Sequence, residues 1–240
     1  MKEEIYTIPV NEAFDADSEC PFCVLYKKAD KEVTDYVLGP SYMEEDVREE
    51  TDKLGFCKYH YRKMFKGGNR LGTALMVSTH LKKINKDLAS VLKNEENIKS
   101  GLFSRNNDSP LAHYIDDIYS SCYACDRIER RMNSYINTFF HLWKKESEFR
   151  DKVKSSKGFC LEHFSQIIAE ARKRLGGNTQ TELCETLFAI EAENLTRLDA
   201  ELDWFIQKFD YRFADEPWKT SKDSLERTIL KISSAQVSDD

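Results

Sequence analysis

The sequence carries one cysteine and histidine pattern twice, and that duplication constrains the fold more than any other feature. Cys20-Pro-Phe-Cys23 is followed after a long gap by Gly55-Phe-Cys-Lys-Tyr-His60. Further on, Cys122-Tyr-Ala-Cys125 is followed by Gly158-Phe-Cys-Leu-Glu-His163. Subtracting positions, 122 − 20 gives 102, while 160 − 57 and 163 − 60 both give 103, so the copies stay in register to within one residue. Each copy then reaches the same breaker, Gly67-Gly68-Asn69 or Gly176-Gly177-Asn178. Gly-Gly-Asn stops one helix and offers an N-cap to the next, so a long helix is expected to start there in both copies.

The two long helices carry matching apolar spacings. Val77, Leu81, Ile84, Leu88 and Val91 form one seam. Leu195, Leu198, Leu202, Phe205 and Phe209 form the other, extended backward by Phe188 and Cys184 and interrupted at Glu191. Both seams read as intramolecular core. Helical patterns also fill Val24 to Leu38, the acidic stretch Met43 to Lys53, Arg127 to Lys144 and Lys222 to Ile232. Residues 94–110 have linker character, and Ser109-Pro110 reads as an N-cap followed by Pro at the first helical position. No segment reads as a strand. The expected fold is all-α, about eight helices in two tandem repeats packed through their long seam helices. The expected boundaries are 1–105 and 106–212 for the two repeats, and 213–240 for a C-terminal extension with one short helix.

Each copy offers Cys3His, a closed tetrahedral donor set for zinc. The expected ligands are Cys20, Cys23, Cys57 and His60 in one half, and Cys122, Cys125, Cys160 and His163 in the other. In C-x2-C a tight turn aims two sulfurs at one point, and Pro21 pre-sets such a turn. In C-x2-H the ligands sit three apart on one face of a helix's first turn, where the helix dipole favours the thiolate. Two zinc ions per chain are expected, each closing a loop of some 35 residues. An iron–sulfur centre is the alternative that Cys-rich ligation leaves open. A redox dithiol explains the C-x2-C but not the recurring histidine.

Composition narrows the function classes. Seven Cys without an export-like apolar run at the N-terminus point to a reducing, cytoplasmic setting where clustered thiols hold metal. No apolar stretch approaches the length needed to cross a membrane. A net charge of −6 over 240 residues gives no support to nucleic-acid binding as the main role. Lys58, Arg62, Lys63, Lys66 and Arg70, interleaved with Tyr59, Tyr61 and Phe65, form the one basic-aromatic patch. Glu162 stands where a general base would between Cys160 and His163, but the first copy has Tyr59 there, which argues against a duplicated active site. Cys184, His80, His113 and His141 read as structural residues. The leading expectation is a non-enzymatic zinc scaffold or adaptor engaging a protein partner or a second copy. The rival is a redox-active or metal-dependent enzyme, or a thiol sensor. A deep polar pocket beside either metal would weigh against the scaffold.

The doubled C-x-x-C and G-F-C-x-x-H, Arg70-Leu-Gly72, and Asp210-Tyr-Arg ahead of a Trp-containing C-terminal segment resemble a family of bacterial proteins of unknown function. The resemblance covers nearly the whole chain and implies that the cysteines and histidines act as units. The Cys/His spacing is also similar to treble-clef zinc sites, with helical segments in place of the β-hairpin expected between ligand pairs.

Overall fold

The structure is a computed structural model that describes residues 4–99 and 109–237. Among the described residues there are eleven α-helices and no strand. In chain order they are α1 (Thr7–Asp15), α2 (Pro21–Leu38), α3 (Glu45–Leu54), α4 (Lys58–Lys66), α5 (Arg70–Lys99), α6 (Pro110–Ser120), α7 (Tyr123–Lys145), α8 (Ser147–Ser155), α9 (Leu161–Arg174), α10 (Gly177–Gln207) and α11 (Ser224–Ser233). The all-α expectation holds, with α1 and α8 as helices the periodicity did not resolve. Ser109 caps α6 as expected, its side chain accepting from the Ala112 N–H at 3.2 Å with Pro110 at the first helical position. Of the expected linker, residues 94–99 belong to α5, which continues through Lys99, and residues 100–108 lie outside the described ones.

The chain forms two compact units. One unit comprises residues 1–27 and 132–240, the other residues 28–131. The expected boundary at 105/106 lies outside the described residues. Helices α2 and α7 each begin beside one C-x2-C pair and contribute residues to both units.

The unit of residues 1–27 and 132–240 is built around aromatic residues. Phe14, Phe22, Phe139, Phe149 and Phe159 contact one another edge-on or tilted at centroid distances of 5.1–6.1 Å, with one stacked pair, and Trp143 is fully buried. Each fully buried Phe contributes roughly 2–3 kcal/mol. Here α9 and α11 pack on α10, and α1 on α8. The buried line of α10 is Leu183, Leu187, Ile190, Glu191, Asn194 and Leu198. The expected seam holds at Leu198 but not at Phe188, which is 50% exposed, while Glu191 lies within the buried line and Phe209 falls beyond the end of α10.

The unit of residues 28–131 packs α3 and α6 on α5. On α5 the buried line is Gly72, Met76 and His80, whereas Val77 and Leu81 of the expected seam face solvent. Both seams turn because a polar side chain, His80 or Glu191, is drawn inward at the same structural point. A Cβ on Gly55 would lie 2.4 Å from His80 Nε2, and one on Gly158 would lie 2.6 Å from Glu191 Oε2. Both glycines have positive φ, 57° and 79°. A side chain there would be strained as well as blocked.

Candidate metal centres

Two groups of four ligand atoms gather within 4.8 Å of one another. One is Cys20, Cys23, Cys160 and His163; the other is Cys57, His60, Cys122 and Cys125. All eight expected residues take part, but the sets are exchanged between copies. Each C-x2-C joins the C-x2-H of the other copy, which corrects the expectation of one self-contained set per half.

The exchange follows from helix lengths. At 1.5 Å per residue α2 is about 27 Å long and α3 only about 15 Å. For α7 and α8 the figures are about 35 and about 14 Å. The carboxylate of Asp30 accepts from His60 Nε2 at 3.0 Å, and Asp30 lies seven residues past Cys23, about 10 Å of helix. The first copy's C-x2-H therefore docks two turns too far along α2 to share a metal with its own C-x2-C. The loops closed are longer than expected, with Cys160 lying 137 positions after Cys23 and Cys122 lying 62 positions after His60. Relative to a 35-residue loop the longer one adds about 1 kcal/mol of closure entropy.

Every ligand pair sits at a helix N-terminus, so each centre lies where two such ends converge. Cys57 and Cys160 are the N-caps of α4 and α9, with His60 and His163 in the first turn. Cys20 and Cys122 immediately precede α2 and α7, and each sulfur accepts a main-chain N–H, from Cys23 or Cys125, at 3.4 Å. Two converging dipoles favour the negative charge of thiolates.

Charge is strongly coupled within each set. Burial would lower His60 and His163, but contacts with Asp30 and Cys122 for the first, and with Cys160 and Cys20 for the second, raise each to about 10. Burial would raise Cys122, yet His60 brings it to about 6. Cys160 is held low by the Cys20 and Cys23 thiols and His163. Cys23 is pushed up by neighbouring Cys160 and Cys20, and Cys125, though solvent reaches its side chain, by partial desolvation and then by the charge of Cys122. Three thiolates this close repel one another. A divalent cation among them is what permits all three to ionise, so the donor set fits a metal of the zinc type.

Three residues around these centres escaped the sequence reading. Asp30 is 5% exposed and accepts from the Tyr59 hydroxyl at 3.0 Å and from Lys63 at 2.6 Å, besides His60. Lys63 is thereby engaged, which removes it from the expected basic patch. Burial opposes ionisation of Asp30, but these three donors outweigh it and bring its pKa to about 2. Glu191 accepts from the Phe159 N–H at 3.1 Å, beside Cys160, and pairs at 3.1 Å with Lys231 of α11. Lys231 is fully buried and donates to the carbonyls of Lys157 at 2.7 Å and Glu19 at 3.5 Å. In the second centre a main-chain bond makes the matching connection, Tyr123 N–H to Gly55 carbonyl at 2.9 Å. Pro21 holds the position of Tyr123 in the first copy and has no N–H to give, so Lys231 spans the two chain segments instead. The available clues were an acid on a buried helix face, the interruption of a seam, and a proline.

The other singled-out residues with a described position lie outside both sets. His80 donates from Nδ1 to the Asp52 carbonyl at 2.7 Å. Cys184 is half-buried on α10, outside both sets. Glu162 is exposed on α9. A cavity of about 940 Å³ borders the first centre, with Cys20 and Cys23 in its wall. Arg197 and Arg227 form its charged floor with Glu19 and Glu201, at 2.5–3.1 Å.

The chain is thus an all-helical protein carrying two Cys3His groups that could each hold a metal ion. It belongs to DUF6062, a family of unknown function, whose profile matches residues 1–239. No curated protein and no solved structure matches it. Among the described residues, no helix is long and apolar enough to cross a membrane.

Proposed function

We propose that this protein is a zinc-binding helical scaffold or adaptor of the cytoplasm, in which both Cys3His sets act as structural staples. The convergence of four donor atoms from two helix N-termini carries this reading, because Cys3His fills a tetrahedron and leaves no open position. Tetrahedral ligation by three sulfurs and one nitrogen favours zinc over iron. Seven free thiols suit a reducing compartment. Exposed Leu71, Leu75 and Leu81 on α5 support a protein partner or self-association.

The cavity beside Cys20 and Cys23 weighs the other way and favours a second reading, chemistry or ligand binding at the first centre. Its charged floor is internally neutralised, and closed coordination would keep the metal from acting directly on a ligand. Elemental analysis of protein purified anaerobically without added metal tests the leading reading: two zinc ions per chain are expected. Iron with a coloured solution, or no metal, would contradict it. Cobalt substitution separates the two readings. A tetrahedral spectrum unchanged by azide or cyanide supports staples, and a spectrum altered by either supports an open site.

A further inference from the structure

The two centres differ in how solvent reaches their sulfurs. All four ligands of the first are buried. In the second, His60 and Cys122 are buried, Cys57 is half-exposed and Cys125 is exposed. Cys57 and Cys125 are also neighbours, with their sulfurs 3.8 Å apart.

Hydrogen bonding follows the same division. At the first centre the Ser234 hydroxyl donates to Cys160 Sγ at 3.2 Å, and the Gln236 amide donates to the Cys23 carbonyl at 3.1 Å. The segment after α11 thus meets the Cys160 sulfur and the main chain of Cys23. Among the described residues, no main-chain N–H or hydroxyl donates to Cys125 Sγ. A donor withdraws charge from a thiolate and blunts its nucleophilicity; an exposed sulfur without one is the more reactive.

We propose that Cys125 is an oxidant-reactive modification site: a hydroperoxide attacks it first, Cys57 resolves it as a disulfide, and the metal leaves the second centre alone. The proposal rests on the metal-binding reading above and assigns it a regulated half. In the first step the Cys125 thiolate attacks the terminal oxygen of the hydroperoxide. An S–O bond forms, the O–O bond breaks, and the departing alkoxide or hydroxide takes a proton from water. In the second step the Cys57 thiolate attacks the sulfenic sulfur, the S–S bond forms, and hydroxide leaves to be protonated. Two thiolates lose two electrons and the peroxide gains them, giving one disulfide, one alcohol or water from the peroxide, and one further water. The metal is left with Cys122 and His60, half its donor set, and dissociates. A single S–S bond then joins the starts of α4 and α7 where four bonds to a metal had done so.

The test uses the full chain loaded with zinc anaerobically and counted before oxidant is added. Hydrogen peroxide is titrated in, released zinc is read with a chromogenic chelator, and thiols are trapped by alkylation and mapped by mass spectrometry. The expected result is one zinc per chain released at least about tenfold faster than the other, with a Cys57–Cys125 linkage and with Cys20, Cys23 and Cys160 still reduced. Cys184, outside both centres, reports oxidation that releases no zinc. Ser234→Ala, which strips a donor from the first centre, should leave the fast phase unchanged. A chain that holds no zinc at the outset overturns the metal reading and this proposal together. A loaded chain that loses both ions at one rate, loses the first centre's ion first, or links Cys122 to Cys125 overturns the proposal alone.

Discussion

The two Cys3His centres share a donor set and a construction from paired helix N-termini, yet their surroundings differ at nearly every point. The first is enclosed by aromatic residues: the Phe22 ring lies 5.7 Å from His163, and among the described residues no carboxylate reaches that histidine. The second has a polar support in Asp30, which orients His60 from behind in the carboxylate–histidine–metal manner. Seven residues past the second C-x2-C, the position matching Asp30 is Met132. In the second centre the joining of chain segments is a main-chain bond, and in the first it is the buried ammonium of Lys231. The lesson is that a duplicated metal motif fixes the donors but not the environment. One set has all four donor residues buried, with a cavity at its edge, and the other exposes Cys125.

Removing a ligand should have the largest effect, and it should be local. Cys23→Ala is expected to unfold the unit of residues 1–27 and 132–240, at a cost on the order of 10 kcal/mol if the metal is lost. Hydrogen exchange should then show protection surviving in residues 28–131 only. Collapse of protection in both units would break the comparison.

Next in size is Lys231→Met, which leaves Glu191 charged and buried beside the first centre. A loss of about 3–5 kcal/mol is expected in denaturant unfolding, largely recovered in the Lys231→Met, Glu191→Leu double variant. Zinc affinity of the second centre should not move. Asp30→Asn makes the converse change: a 10- to 100-fold loss of metal affinity at the second centre, read by chelator competition, with the first unaffected. Equal weakening of both centres would remove Asp30 as the distinguishing feature. The smallest effect is expected for Ser234→Ala, about 1 kcal/mol, seen as faster chelator capture of the first zinc.

Much of this architecture was legible in the sequence, and the failures share a cause. The eight donor residues that gather, the all-α class, the Ser109 cap and the start of α5 after Gly67-Gly68-Asn69 follow from local rules of spacing and capping, whereas α10 starts earlier than expected, at Gly177 with Gly176 as its N-cap. Which C-x2-C meets which C-x2-H depends on the lengths of α2 and α7 against those of α3 and α8, a sum over whole elements that motif spacing does not contain. The seams differ from the structure at Val77, Leu81 and Phe188 because apolar periodicity assumes that polar residues face outward, and at Phe209 because α10 ends at Gln207. His80 and Glu191 face inward, where positive-φ glycines make room for them. A lysine on an amphipathic helix reads as solvent-facing, whereas Lys231 is fully buried and bonds main-chain carbonyls where Pro21 has no N–H to give.

The exchanged pairing is the central claim, and cadmium-113 NMR tests it most directly. With both centres filled by cadmium-113, scalar couplings connect each metal to the β-protons of its cysteines and the ring protons of its histidine. The account predicts one resonance coupled to Cys20, Cys23, Cys160 and His163, and a second coupled to Cys57, His60, Cys122 and Cys125. A resonance coupled to Cys20, Cys23, Cys57 and His60 together would contradict it.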